Sequence, residues 1–465
     1  MASRVLVAFA ILFGLLLAMQ RWRLAVKTAL VLVVIEGALR KWVVPGAQDL
    51  AYFAKDLVLL GAYIGYLRDP DRGRYSGPSL PVPSLLLILA GLFGLFEVFN
   101  PELPTPLIGA LGWKAYFLYT PMLWVVPAAF RTDEELWNFL RRYVLLALPI
   151  GALGMFQFRA PVDSALNAYA RGGADADIAT FGSQNHARVT GTFSYISGYT
   201  MYLQAMAILL LALLATRRWQ FKNDRILFAT LGVVVLSMFT TGSRGPVFMM
   251  VALVPVYLGL SVLGERGGST TILRVAAGAT VLAMLVGVFG DEAIAAFRER
   301  AEGSSDVPGR LMEPFLAPIR MAQEVGLFGY GLGASHPASE KLAGNELLLL
   351  RMRMPAVEAE TGHIMVEAGP LGFLLLYLPR FYLVVYAGMR FRRLKTIFHR
   401  TLAVSSFMFL LTQTLGAVVF EATTGFYYWF FAGLLMLVVR LDAEVPTPAM
   451  AAPRLKSLTA QRAIA

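Results

Sequence analysis

The stretch SGYTMYLQAMAILLLALLA, residues 197–215, has no charged side chain and is followed almost at once by Arg217 and Arg218. A helix that crosses a bilayer needs about 20 apolar residues, so this stretch predicts a membrane-spanning helix. The whole chain of 465 residues shares this character, with 57% hydrophobic residues, 15% charged residues and a mean hydropathy of +0.62. Soluble globular chains carry about 25% charged residues. The composition therefore argues against a soluble enzyme and predicts a polytopic membrane protein.

About 13 stretches are apolar enough, and close enough to the required length, to be spans. They lie at 5–19, 24–43, 50–67, 83–99, 106–130, 137–158, 197–215, 226–242, 245–263, 272–290, 370–389, 401–420 and 425–441. The predicted fold is an all-α transmembrane domain over residues 1–441, with about 12–14 helices. The N-terminus lacks a cleavage site, which favours a retained span over a signal peptide.

Basic residues alternate along the chain and predict its orientation. Every second loop between the apolar stretches is rich in arginine and lysine. The positive-inside rule places these basic loops in the cytoplasm. The basic residues are Arg21, Arg23, Lys27, Arg68, Arg72, Arg74, Arg131, Arg141, Arg142, Arg217, Arg218, Lys222, Arg225, Arg266, Arg274, Arg390, Arg392, Arg393, Lys395 and Arg400. Two long loops, 159–196 and 291–369, then lie on the outer side, and the tail 442–465 is predicted to be a disordered cytoplasmic end.

The net charge of +11 follows from this loop bias, so it indicates membrane topology and not a nucleic-acid partner. The chain has no cysteine, which excludes disulfides and thiolate chemistry and gives no indication of the redox compartment.

The outer loop 291–369 holds amphipathic runs at 292–302, 311–324 and 340–353 and a glycine-rich turn at 329–333. Short helices over the outer ends of the spans are expected there.

Ionisable residues inside the predicted spans mark candidate functional positions, because burying them in a bilayer is costly. They are Glu36, Arg40, Lys41, Lys55, Asp56, Lys114 and Arg380. One interpretation is mutual neutralisation between packed helices. The alternative is a positively lined cavity for an anionic headgroup, with Lys114 and Arg380 among its ligands.

Two outer segments combine arginine with glycine and hydroxyl side chains. Arg244 lies in the hairpin 240–246, where glycine permits close approach of a ligand and a guanidinium can bind phosphate oxygens through two bonds. The alternative is an arginine that extends to lipid headgroups. Arg188 opens the segment 188–198, which suits a pyrophosphate beside a sugar and equally suits an aromatic belt at the membrane interface.

A third segment carries acidic residues and a histidine. Glu360, His363 and Glu367 share one face of a predicted helix, with Glu358 just before it. A histidine beside carboxylates can act as a general base, whereas Glu358 and Glu360 could instead complement the helix dipole. The other three histidines are predicted to lie outside the site, with His186 and His336 on outer surfaces and His399 in the cytoplasm. No histidine pair has zinc spacing, so neither a metal nor another cofactor is predicted.

Taken in order, these segments resemble the O-antigen ligase and polymerase superfamily. The resemblance rests on Arg188-x-x-Gly-Thr-Phe, on Ser243-Arg244-Gly245, on the long outer loop and on Glu367-Ala-Gly-Pro-Leu-Gly372. The ligases commonly carry a histidine where this chain has Glu358, and the run from Glu36 to Trp42 is similar to exopolysaccharide polymerases. The chain therefore looks more like the polymerase branch.

The resemblance implies an inverting glycosyltransferase in the bacterial inner membrane, with its active site facing the periplasm. Its donor and acceptor would be undecaprenyl-pyrophosphate-linked glycans, with membrane lipids and a chain-length regulator as further partners and no metal or cofactor. Arg244 and Arg188 would bind the pyrophosphate, and the base would be one of Glu358, Glu360, His363 and Glu367. Two alternatives stay open, a ligase that transfers glycan to lipid A core and a transporter of lipid-linked sugars.

Overall fold

The chain folds mainly into helices, which make up about 76% of it, with almost no strands. This finding confirms the predicted all-α class. The computed structural model describes residues 12–170, 178–182, 185–216, 224–245, 247–250, 255, 294–296, 298–299 and 307–445.

The described α-helices, numbered in chain order, have the following bounds. They are α1 Trp22–Ala38, α2 Gln48–Arg68, α3 Pro81–Glu97, α4 Pro106–Phe117, α5 Met122–Ala129, α6 Asp133–Leu145, α7 Ala147–Arg159, α8 Ile196–Ala215, α9 Asp224–Thr240, α10 Val307–Met321, α11 Glu340–Arg353, α12 Glu360–Arg390, α13 Ile397–Gln413 and α14 Ala422–Glu444. A π-helical turn, Leu39–Val43, extends α1, and two short strands, β1 Thr180–Phe181 and β2 His186–Ala187, pair antiparallel.

Within the described residues, four helical stretches are long and apolar enough to cross a membrane. They are Asp133–Arg159, Ile196–Ala215, Glu360–Arg393 and Ala422–Glu444. Two apolar helices are shorter, Pro81–Glu97 and Arg225–Thr240. These stretches coincide with predicted spans and support a membrane protein, while the total of 12–14 helices stays a prediction.

The outward surface of α12 also fits a lipid environment. Its large apolar side chains recur at intervals of three or four residues and lie exposed, which puts them on one face. They are Leu374, Leu378, Phe381, Val385 and Met389, between 46% and 58% exposed. A continuous exposed apolar stripe is unfavourable in water, so we interpret this face as lipid-facing.

Three predicted spans differ from the observed helices. The span 106–130 is two helices, because Pro121 has no backbone N–H and disfavours helical geometry in the residue before it, and a turn covers 118–121. The span 401–420 ends at Gln413, and the residues after it form a loop. The span 370–389 belongs to a helix that begins ten residues earlier and is broken at Gly369, where φ is +63°.

Several predictions fall wholly or largely outside the described residues. They concern the spans 245–263 and 272–290, much of the first span, most of the amphipathic run 292–302 and the end of the tail. The tail was predicted to begin at Asp442, but α14 continues through Glu444. Asp442 is buried and accepts hydrogen bonds from Lys395 N (2.8 Å) and Thr396 N (3.3 Å). The start of the tail was therefore predicted too early, because a carboxylate that caps another helix leaves no sign in the local sequence.

The helices pack around α8 and α14, which are buried nearly all round. Helix α14 contacts α5, α8 and α13, and α12 packs against α3, α10 and α13. In the outer loop 291–369, helices form at Val307–Met321 and Glu340–Arg353, near two of the predicted runs.

Three contacts join segments that are predicted to lie on the same side of the membrane. Arg23–Asp69 (2.9 Å) and Lys27–Glu135 (2.5 Å) join loops predicted to be cytoplasmic. The hydrogen bond from Arg40 to Ser194 joins segments predicted to be outer. These contacts are compatible with the predicted alternation, and the orientation of the chain in a membrane stays a prediction.

Candidate functional site

The segment Arg188–Gly198 leads into α8 and is fixed to two other helices. Gly191 N donates to Gln157 Oε1 of α7 (2.8 Å), and Thr192 Oγ1 donates to the Val34 carbonyl of α1 (2.6 Å). Both acceptors would otherwise be costly to bury. The segment is therefore a rigid element of the bundle and not a loose interfacial loop.

Arg188 binds the turn that carries Arg244. Its Nε donates to the Thr241 carbonyl (3.1 Å) and its Nη2 to Ser243 Oγ (2.9 Å). Gly242 has a φ of +62°, a conformation that favours glycine, and the half-buried Arg244 follows directly after Ser243. The structure therefore brings together, at one end of the bundle, the two arginine segments that the sequence singled out.

Tyr169 supports this arrangement from the first long loop. Its hydroxyl donates to the Arg188 carbonyl (2.8 Å). Burial raises the pKa of Tyr169 to about 12, so the phenol stays protonated near neutral pH and keeps donating. It fixes the backbone of the arginine whose side chain binds the turn.

Gly37 allows the segment to lie directly against α1. A Cβ at this position would be 2.5 Å from the Thr192 carbonyl oxygen and would overlap the backbone of Phe193 and Ser194. We expect Gly37→Ala to lower the free energy of unfolding by about 1–3 kcal/mol, as overpacking does, and to lower activity by displacing the segment. Thermal unfolding of the detergent-solubilised protein, followed by tryptophan fluorescence, measures the loss.

Gly91 provides the matched control for this substitution. It lies inside the apolar helix α3, and an added Cβ there has nothing within 4 Å. Alanine is a better helix former than glycine, so Gly91→Ala should leave the unfolding temperature unchanged or slightly higher. Equal unfolding temperatures for the two variants would contradict the close approach at Gly37.

Glu360 binds backbone amides of the loop that precedes α14. Its carboxylate accepts from the N–H groups of Val418 (2.9 Å), Val419 (2.8 Å) and Phe420 (3.0 Å). The Arg380 guanidinium lies 3.7 Å away in a buried ion pair. These contacts favour a structural role for the pair. The ion pair fits the interpretation of Arg380 as a neutralised charge, whereas the Glu360 carboxylate caps a distant loop and not its own helix, which the sequence did not suggest.

Glu367 holds the glycine-rich turn 329–333. Its fully buried carboxylate accepts hydrogen bonds from Tyr116 OH (2.8 Å), Gly333 N (2.9 Å), Ser335 N (2.7 Å) and Ser335 Oγ (2.7 Å). The turn also pairs with the helix break, since Gly331 N donates to the Glu367 carbonyl (2.9 Å). With four donors on its two oxygens, this carboxylate is satisfied within the fold and holds the turn in place.

His363 and Glu358 are more accessible than the two buried carboxylates. Glu358 is exposed and His363 half-buried, with the imidazole 5.3 Å from the Phe420 ring. His336 lies near the other candidates too, 6.2 Å from the same ring, although the sequence suggested only a surface position. Its Nδ1 accepts from Ala338 N (3.1 Å), so a neutral His336 carries its proton on Nε2.

The loop 418–421 connects the acidic segment to the arginine segments. Its amides bind Glu360, and Glu421, the residue after Phe420, accepts a short hydrogen bond from Ser197 Oγ. The sequence reading missed Glu421, because it treated 421–424 only as a loop without cations. A carboxylate in a four-residue loop between two predicted spans was the signal that could have identified it.

Charged residues of α1, α2 and α4 form a second cluster beside the segment Arg188–Gly198. The ion pairs Glu36–Lys55 and Asp56–Lys114 are both 2.6 Å long. Arg40 donates to Ser194 Oγ (2.8 Å), which joins the cluster to the segment. Lys114 therefore lies with this cluster, and no described contact places it beside Arg188 or Arg244.

Comparison with known proteins finds no matching family model and no curated protein of significant sequence similarity. Among the described residues, no group of three His, Asp or Glu side chains is placed to hold a metal ion. The chemistry of the site is therefore argued from its arginines, carboxylates and histidines. The described residues offer arginines that can bind an anionic group and partly accessible side chains that can accept a proton.

Proposed function

We propose that the protein is a membrane glycosyltransferase that polymerises undecaprenyl-pyrophosphate-linked oligosaccharide units on the periplasmic face of the inner membrane. The observation that supports this most directly is the contact of Arg188 with the turn that carries Arg244. The Arg188 guanidinium contacts Thr241 and Ser243, so two arginines that are more than 50 residues apart in the sequence belong to segments that meet in the structure. Such a pair suits the recognition of phosphate oxygens.

In the proposed reaction, a hydroxyl of the acceptor glycan attacks the anomeric carbon of the donor glycan. The new C–O bond forms as the bond to the pyrophosphate breaks, and the electron pair of that bond leaves with the pyrophosphate. Arg188 and Arg244 stabilise the developing negative charge by preorganised electrostatics. A single displacement inverts the anomeric configuration, and a protein base takes the proton of the attacking hydroxyl.

The contacts of the candidate bases support His363, Glu358 or Glu421 in that role. Glu360 and Glu367 already accept several hydrogen bonds each. Glu421 is half-buried and contacts Ser197, in the segment that begins at Arg188. A base there would contact the segment that begins at Arg188 and would not need rearrangement of a buried carboxylate.

The test is turnover by the purified protein in nanodiscs. The protein receives undecaprenyl-pyrophosphate-linked repeat units alone, in EDTA, and products are resolved by size. A ladder of longer carrier-linked glycans is expected. If no elongation occurred either in EDTA or with added divalent metal ions, the proposal would be contradicted.

A second arm adds lipid A core as acceptor. Transfer only in its presence would identify a ligase and overturn the polymerase assignment. A third arm measures movement of the lipid-linked sugar across proteoliposome membranes, which a transporter would produce without any new glycosidic bond.

A further inference from the structure

A cluster of cations surrounds the half-buried ring of Tyr52, apart from the turn that carries Arg244. Lys114 Nζ lies 4.3 Å, Lys55 Nζ 4.6 Å and Arg40 Cζ 5.1 Å from the ring centroid. Lys41 belongs to the same region of the chain. Three cations, one each from the π-helical turn, α2 and α4, converge on one aromatic side chain, an arrangement with a local excess of positive charge.

The carboxylates of the cluster do not balance its cations. Lys55 is almost fully buried and lies 2.6 Å from Glu36 and 3.6 Å from Asp56, so it partly neutralises both carboxylates. Arg40 is 3.7 Å from Glu36, and Lys114 is 2.6 Å from Asp56. These three cations therefore share two carboxylates, which leaves a net positive charge that an anion would offset.

Lys41 lies beside the cluster as a fourth basic residue. Its Nζ donates to Thr190 Oγ1 (2.9 Å) and to the Gly191 carbonyl (2.7 Å), which are both neutral acceptors. Because burying an ammonium group without a carboxylate is costly, Lys41 is not counted in the charge excess, which rests on Arg40, Lys55 and Lys114.

Arg40 has unused hydrogen-bonding capacity. Its Nη1 donates to Ser194 Oγ (2.8 Å) and its Nη2 to the Ala170 carbonyl (3.3 Å), whereas its buried Nε has no hydrogen-bond partner among the described residues. A buried donor without a partner is unfavourable, so the guanidinium keeps one donor that its present contacts leave unsatisfied.

The cluster is open on a side that suits a lipid. The side chains of Arg40 and Lys114 are 14% and 18% exposed, while Lys55 lies beneath them. Phe53, next to Tyr52, is 39% exposed and its ring lies 5.0 Å from Lys114 Nζ. A molecule that binds here would meet cations with its head and an exposed aromatic side chain with its tail.

We infer that Arg40, Lys114 and Tyr52 form a second site, which binds the phosphate or pyrophosphate group of a membrane lipid. Arg40 contacts the segment Arg188–Gly198 at Ser194, and the turn that carries Arg244 contacts the same segment at Arg188. The two sites therefore contact different parts of one segment. Such an arrangement can hold two lipid-linked phosphates at once. The identification of the second lipid as the carrier of the acceptor glycan rests on the proposed glycosyl transfer. The binding of a lipid phosphate at this site does not depend on it.

The experiment measures lipid binding to the full-length protein by native mass spectrometry. The probes are undecaprenyl pyrophosphate, phosphatidylglycerol and the uncharged lipid diacylglycerol. Arg40→Gln combined with Lys114→Gln should weaken binding of the anionic probes about tenfold or more, since each lost charge-assisted bond is worth about one factor of ten. Arg40→Lys combined with Lys114→Arg should keep most of the affinity.

The matched control is Arg320→Gln combined with Arg353→Gln, two arginines with side chains 57% and 64% exposed. It should leave binding unchanged. Stronger binding of undecaprenyl pyrophosphate identifies the carrier as ligand, and equal binding of both anionic lipids identifies a general phospholipid site. Equal loss in the control pair, or wild-type affinity in the Gln pair, would overturn the inference.

A measurement on the wild-type protein covers the case in which the Gln pair does not fold. Acetylation of Lys114 by a water-soluble reagent, read by peptide mass spectrometry, should slow several-fold when an anionic lipid is present and not with diacylglycerol. Unchanged acetylation would overturn the site. Lipid binding without any elongation would instead leave the site standing and contradict the proposed glycosyl transfer.

Discussion

Replacing Arg244 by alanine is expected to slow elongation of the carrier-linked glycan by about 10²–10³-fold, the cost of removing one preorganised group that stabilises a developing anion. The leaving pyrophosphate gains charge as its bond to the sugar breaks, so the loss falls on the turnover rate. Arg244→Lys should keep an intermediate rate, because an ammonium retains the charge but not the paired donors of a guanidinium. The measurement is single-turnover elongation in nanodiscs.

The control for Arg244→Ala is Arg353→Ala. Arg353 is exposed and its nearest carboxylate, Glu102, is 3.6 Å away, an exposed pair worth little in stability. It should elongate at the wild-type rate, and both variants should unfold near the wild-type temperature. Polymer of normal length and yield from the folded Arg244→Ala protein would contradict the mechanism.

The helical class could be read from the sequence because the apolar stretches are long and poor in charge. The stretch 197–215 became α8, and the cations around it marked where helices end. Composition reports whether a segment avoids water, which is the physical requirement for crossing a bilayer. It does not report the backbone geometry within the apolar segment.

The helix break at Pro121 was therefore missed. Pro121 splits the predicted span 106–130, although it lies among apolar residues. Proline at such a position was a visible signal that hydropathy counting overlooked. The break at Gly369 lies directly before the predicted start of the span 370–389, but its positive φ and its contact with the turn 329–333 could not be predicted.

The candidate site, like the fold, could be predicted only in part from the sequence. Residue chemistry alone singled out Arg188 and Arg244, and the structure places their segments together. It could not distinguish a base from a carboxylate that binds backbone amides, because the donors to Glu360 lie almost 60 residues away. Long-range hydrogen bonds leave no periodic pattern, which is also why Glu421 was overlooked.

Glu367→Gln is expected to lower the free energy of unfolding by at least about 2 kcal/mol, since it leaves buried donors without acceptors. The two carboxylate oxygens of Glu367 accept four hydrogen bonds from Tyr116, Gly333 and Ser335. A glutamine has one oxygen, and its NH₂ group would face donors in place of the other. Released from this anchor, the glycine-rich turn should also separate from the break at Gly369.

Thermal unfolding and turnover, measured on the same Glu367→Gln sample, separate the structural role from the catalytic one. If Glu367 anchors the turn, the unfolding temperature falls by several degrees, and the protein that is still folded at low temperature keeps part of its turnover. If Glu367 is instead the base that the sequence pattern suggested, the unfolding temperature stays unchanged and turnover is lost. Glu358→Gln, at an exposed carboxylate in the same segment, should leave the unfolding temperature unchanged, because its side chain is already solvated. A fall in unfolding temperature that is confined to Glu367→Gln therefore assigns this carboxylate to the fold, and leaves proton transfer to the accessible groups around Phe420.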